Sequence, residues 1–145
     1  MRNGSGSRYL DASILVAVLT VEPFSERADG FVRDHPIGLI ISDFAAAEFA
    51  SAIARRVRMR EVTVDDARSD LAAFDSWAVR SVQSIEVTAA DIAVATTFLR
   101  RLDLTLRTPD AIHIAIAQRI GATLVTFDQR MTESARALGM AVATP

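Results

Sequence analysis

The chain predicts an α/β fold, a three-layer sandwich with a mostly parallel central sheet. Two observations carry this. Strand-length apolar runs alternate with longer stretches of three-and-four periodicity, and Ile37-Gly38-Leu39-Ile40-Ile41 is continuously apolar, as in a parallel strand buried on both faces.

Each element has its own signal. Arg8-Tyr9-Leu10 starts a strand, and residues 13–21 follow as an apolar helix that Pro23 interrupts before a second helix runs towards Asp34. His35-Pro36 breaks the chain ahead of the 37–41 strand. Ser42 and Asp43 supply N-cap chemistry for a helix over 44–59. Thr63 caps another, in which Val64, Ala67, Leu71, Phe74 and Ala78 keep helical spacing to about Val82. Residues 84–87 form a third strand. Thr88-Ala89-Ala90-Asp91 reads as a capping box with Asp for Glu, opening a helix to about Leu102. Thr108-Pro109-Asp110 starts the next helix, and Gly121 stops it. A strand over 122–126, a helix over 129–138 stopped by Gly139, and a strand over 140–143 complete the pattern.

Composition narrows the chemistry. A chain of 145 residues that is 50% hydrophobic has the size and core of one domain, assigned here to residues 8–145. Residues 1–7, rich in Gly and Ser, read as a linker outside the fold, native or added. A net charge of -2 argues against a protein that coats nucleic acid non-specifically, yet leaves room for a local basic patch. With no Cys there are no disulfides and no thiolate ligands. With no Lys there is no Walker-type lysine and no Schiff-base chemistry, so Arg alone serves phosphate recognition. No run is long and apolar enough to span a bilayer and no secretion signal is legible, so a cytoplasmic location is expected.

Four acids sit where acids are awkward. Asp11 follows the first strand, Glu48 lies in the run Ala45-Ala46-Ala47-Glu48-Phe49-Ala50, Asp110 opens a nearly apolar helix, and Asp128 follows Ala122-Thr123-Leu124-Val125-Thr126. Carboxylates are rarely buried unless paired or bound to a cation, so the set points to one metal site beyond the carboxyl ends of the strands. All-oxygen ligands point to Mg²⁺ or Mn²⁺ rather than zinc.

Tyr9-Leu10-Asp11-Ala12-Ser13, the segment 42–55 around Glu48, Thr108-Pro109-Asp110-Ala111-Ile112-His113 and Val125-Thr126-Phe127-Asp128-Gln129-Arg130-Met131 resemble the successive motifs of PIN-domain ribonucleases, in particular the VapC toxins of bacterial toxin–antitoxin pairs. Each motif is weak alone; four in the right order are specific. The resemblance implies a Mg²⁺- or Mn²⁺-dependent endoribonuclease that dimerises and is held inactive by a cognate antitoxin. It makes Asp11, Glu48, Asp110 and Asp128 the catalytic and metal-binding quartet, with Ser13, Arg107 and Thr126 as substrate-binding residues. Some relatives carry a further acid just after the fourth; here Gln129 and Arg130 stand there, which leaves open whether one metal or two are held.

Plainer readings compete at each position. Asp11, Asp110 and Asp128 could each cap a helix, and only the set argues for a site. Asp91 is explained by its capping box. His113, amid Ile112, Ile114 and Ile116, reads as a core histidine rather than a ligand or base. The arginines of 55–60 are as well explained by a helix dipole as by RNA. Phe74 and Trp77 read as core or dimer contacts. Val57, Met59, Val62, Trp77 and Val79 exceed what a small sheet needs for cover and imply a homodimer. A receiver domain would need a Lys, and an aspartate-nucleophile phosphatase an acid where Ser13 stands. The remaining alternative is a catalytically silent PIN-like scaffold that binds an antitoxin or RNA.

Overall fold

The computed structural model describes residues 6–145, so the linker reading of residues 1–7 falls outside the described residues for 1–5. Five parallel strands lie in the order β3-β2-β1-β4-β5, with β1 Arg8–Leu10, β2 Leu39–Ser42, β3 Gln83–Ile85, β4 Thr123–Val125 and β5 Val142–Ala143. Between them run α1 Ala12–Leu19, α2 Ser25–Asp34, α3 Asp43–Arg58, α4 Val64–Ser81, α5 Ala89–Leu99, α6 Thr108–Ile120 and α7 Gln129–Ala137. The pleat divides the core. Tyr9, Ile40 and Leu124 face α5, α6 and α7, whereas Leu10, Leu39, Ile41 and Val125 face α1, α3 and α4.

This topology fixes where a site can form. From β1 the chain winds outward through β2 to β3, then crosses back to lay β4 on the other flank of β1. The reversal opens a crevice beyond the carboxyl ends of β1 and β4, where open parallel sheets bind ligands.

Several boundaries differ from those the sequence predicts. The second strand begins at Leu39, not Ile37, because Ile37 is exposed and Gly38 turns the chain at φ +80°. A side chain at Gly38 would meet the Gly6 carbonyl at 2.1 Å, so only glycine fits there. The third strand lies at 83–85 rather than 84–87, and the last is two residues long. The fifth helix ends at Leu99 rather than Leu102. Leu102 adopts φ +68° in the following turn, which the Arg101–Asp103 ion pair braces.

Phe49 and Phe74 stack at 4.9 Å within the core, with Trp77 tilted against Phe74. Of the apolar side chains read as surplus, Val57, Val62 and Trp77 pack onto this cluster; Met59 and Val79 stay exposed.

Asp91 does more than its capping box implies. It accepts from Thr88 N–H at 2.9 Å, and the Arg119 guanidinium of α6 donates to both its oxygens at 2.8 and 2.9 Å. Arg119 also donates to the Glu86 carbonyl, so one side chain ties α6 to α5 and to the end of β3. Burial alone would push the Asp91 carboxyl up, but the Arg119 and Thr88 bonds outweigh it and hold the group below the usual carboxylate range. Stability from this lowered group is present above the unfolded-state value of 3.8 and is lost as pH falls through the folded-state value. We expect Asp91→Asn to destabilise the fold by about 1–3 kcal/mol at neutral pH, below the cost of breaking a fully buried pair because Arg119 reaches solvent. Chemical denaturation of both proteins from pH 7 downwards checks this: the gap should hold to about pH 5 and narrow below about pH 4.

Candidate active site

Asp11 sits at the crevice. It is the N-cap residue of α1, accepting from Ile14 N–H at 3.3 Å, and is 3% exposed. The Ser13 hydroxyl donates to its Oδ1 at 2.6 Å and the Thr126 hydroxyl to its Oδ2 at 2.5 Å. Those hydroxyls accept in turn from the loop after β4: Phe127 N–H bonds Ser13 Oγ at 3.0 Å and Asp128 N–H bonds Thr126 Oγ1 at 2.9 Å. One buried carboxylate therefore fixes the backbone that carries Asp128, whose own Oδ1 accepts from Met131 N–H to start α7.

A second network places Glu48. Ser42 ends β2 and caps α3 through Ala45 N–H, and its hydroxyl lies 2.7 Å from the Tyr9 hydroxyl. Tyr9 lies 2.8 Å from His113 Nδ1, and His113 Nε2 bonds Glu48. Ser42, Tyr9, His113 and Glu48 thus form one hydrogen-bonded chain from the end of β2 to the cleft. Tyr9 is locked as the phenol, its acidity suppressed by burial and further by nearby Asp11 and Glu48.

Asp110 enters from α6, where Pro109 occupies the first turn and the Asp110 carboxylate accepts from Arg107 N–H at 3.1 Å. The macrodipole of α6 favours an anion there. Asp11, Glu48, Asp110 and Asp128 line one cleft of about 340 Å³ together with Ser13, Arg107 and His113.

The sequence-based assignments fare unequally in this geometry. Ser13 reaches the cleft wall, but its hydroxyl is committed to Asp11. Thr126, expected to touch substrate, is fully buried and acts on the site through Asp11 and the backbone of Asp128. His113 is a core histidine as expected, 2% exposed, yet it also holds Glu48. No sequence signal announces that bond, because 65 residues separate the partners.

The donors suit a hard divalent cation. They are carboxylate oxygens, and among the described residues Glu48 Oε2, Asp110 Oδ1 and Asp128 Oδ2 take no hydrogen bond from the protein. Each carboxylate also holds a protein partner, and among the described residues no three His, Asp or Glu side chains are grouped as they would be round an ion. Desolvation raises the Asp11 carboxyl above its ordinary value of 3.8, against the opposing influence of His113 and the two hydroxyls, so positive charge in the cleft would stabilise its ionised form.

The PIN domain family profile matches residues 8–137. Ribonuclease VapC46 of Mycobacterium tuberculosis is 34% identical over 141 residues, 94% of this chain and 96% of its own length. The crystal structure of VapC20 from the same species, described as a sarcin-ricin loop cleaving toxin, superposes with a TM-score of 0.75 at 21% identity over 96% of this chain and 100% of that one. DNA-bound VapBC from Salmonella typhimurium superposes with a TM-score of 0.72 at 16% identity over 95% and 97%.

A carboxyl raised by burial makes the fold less stable as pH rises from the unfolded-state value through the folded-state one. Asp11→Asn removes that loss while keeping a side chain that bonds both hydroxyls. In chelator at neutral pH the variant should melt a few degrees above the parent, and the difference should shrink as pH falls towards about 4. A lower Tm for the variant across this range would show that the charge stabilises the fold.

Proposed function

The chain belongs to the PIN-domain family, and we propose that it is a divalent-metal-dependent endoribonuclease, the toxin of a toxin–antitoxin pair, folded as one domain over residues 8–145 and acting in the cytoplasm. The observation that carries this reading is the carboxylate-lined cleft at the sheet's topological switch point.

Asp11, Glu48, Asp110 and Asp128 would hold Mg²⁺ or Mn²⁺. When bound, such an ion supplies an acidified water and the positive charge that offsets the oxyanions of phosphodiester hydrolysis. The chain's own residues do the rest. His113 fixes the rotamer of Glu48, and Ser13 and Thr126 hold Asp11 while anchoring the backbone of Phe127 and Asp128 respectively. Arg107, exposed at the rim, contacts the RNA phosphate. One of the carboxylates accepts the proton of the attacking water.

An antitoxin is the partner. Its disordered C-terminal segment folds over the cleft and sets a basic side chain among the four acids, where Arg107 is the one arginine among the described lining residues. Two copies of the chain associate through the exposed Met59 and Val79 at the ends of α3 and α4.

Asp11→Asn, Glu48→Gln, Asp110→Asn and Asp128→Asn should each lower the RNA cleavage rate at least about a hundredfold with the fold intact. Chelation should abolish cleavage, and added Mg²⁺ or Mn²⁺ should restore it. The check is gel analysis of RNA after brief expression without antitoxin, alongside the purified proteins. A parent that binds RNA and cuts none would be a silent scaffold. Light scattering at micromolar concentration should return a dimer mass that Val79→Glu reduces to a monomer; a monomeric parent would refute the pairing.

A further inference from the structure

Beside the acidic cleft lies a second cavity of about 530 Å³, and the two share Ser13 and Asp128. Its floor is an aromatic pair, Phe24 and Phe127, stacked at 4.6 Å with their planes 13° apart. Phe127 packs onto the core, but Phe24 is 41% exposed. A rigid turn holds it there. Glu22 accepts from Phe24 N–H at 2.9 Å, while Ser25 Oγ accepts from Glu22 N–H at 3.0 Å and donates to the Thr20 carbonyl at 2.7 Å. Phe24 also occupies the N-cap position of α2 without making any side-chain capping bond. The fold thus leaves part of an aromatic ring open to solvent beside the acidic cleft.

Two cations frame it. Arg27 lies 5.0 and 5.3 Å from the two ring centroids and donates to the Pro145 carbonyl at 2.8 Å. Arg56, from the last turn of α3, lines the same cavity. A stacked aromatic platform with a guanidinium beside it is what single-stranded nucleic acid needs, because every base has a face to stack and every linkage a charge to meet.

We propose that the Phe24–Phe127 pair is a nucleoside subsite, where the base flanking the scissile phosphate stacks on Phe24 and the next phosphate meets Arg56. The proposal rests on the ribonuclease reading and adds to it the part of the substrate that this chain grips. A strand with one phosphate among the four acids has its neighbouring nucleotide over this cavity, since the walls of the two clefts meet at Ser13 and Asp128. Stacking is tolerant of base identity, so the subsite strengthens binding to unpaired RNA without dictating sequence.

The test is anisotropy with a labelled single-stranded RNA pool of about 12 randomised nucleotides, set against an abasic ribose-phosphate oligomer of equal length. Phe24→Ala should weaken binding of the RNA about 5- to 150-fold and leave the abasic oligomer unchanged, with Phe24→Trp restoring affinity. Arg56→Gln should weaken both ligands and lower the slope of log Kd against log salt by about 0.7. Tm values near the parent's would show that the variants are folded. Equal weakening of both ligands by Phe24→Ala, or no weakening of either, overturns the subsite while leaving the ribonuclease reading to the parent's own cleavage. So does a Phe24→Ala variant that loses its antitoxin but binds RNA like the parent, because the platform would then be a protein-docking face. A parent that neither binds nor cuts RNA overturns the ribonuclease reading and the subsite together.

Discussion

The site depends on one buried carboxylate held by two hydroxyls. Asp11 caps α1, and Ser13 and Thr126 carry its influence to the backbone of Phe127 and Asp128. It therefore joins the ends of β1 and β4 at the point where the sheet reverses direction. A strand end alone would place these residues only roughly, because three-residue strands give little register. The hydroxyl bridge supplies the missing constraint, and it does so with donors that leave the anion's charge uncompensated. Positional accuracy and electrostatic demand arise from the same bonds.

β1 serves both networks, through Tyr9 within the strand and Asp11 just after its last residue. Tyr9 points into the layer of α5, α6 and α7, where its hydroxyl joins Ser42 to His113. Asp11 closes the other end of the strand at the cleft. Glu48 and Asp110 come from helices in different layers, and His113 is the only described side chain that bonds one of these acids to the far layer. A core histidine is thus a structural residue and a positioning residue at once, a role that neither sequence reading, core histidine or ligand and base, contains.

What was legible follows from how local each determinant is. Asp11, Asp110 and Asp128 announce themselves because an acid after an apolar strand, or at the head of an apolar helix, is conspicuous within a few residues. Glu48 stands out against its alanines in the same way. The Thr63 cap and the Thr88 capping box are equally local, and both form, the Thr63 cap with Asp66 as a capping box as well. The bonds from Glu48 to His113 and from Thr126 to Asp11 span 65 and 115 residues, and no window of sequence contains them. Boundaries slipped where a single backbone angle decided the outcome, at Gly38 and Leu102. Phe24 was passed over because a phenylalanine beside a proline turn looks like ordinary core until its exposure is known.

Two acids of nearly equal solvent exposure show how a structural carboxylate differs from a functional one. Asp91 and Asp11 are 2% and 3% exposed, both take part in capping a helix, Asp11 as the N-cap of α1 and Asp91 as the capping-box partner of Thr88, and both accept bonds from neighbouring hydroxyl-bearing residues. Their proton affinities move in opposite directions. Asp91 has a guanidinium bonded to both its oxygens, so its charge is met within the fold and its ionised form stabilises the protein. Asp11 has only neutral donors in contact, and the imidazole that tempers it is bound to other groups. Low solvent exposure alone therefore does not decide role, and Asp11 lies deeper than Asp91. What separates the two is whether the fold supplies the countercharge, and at Asp11 that charge must come from whatever enters the cleft.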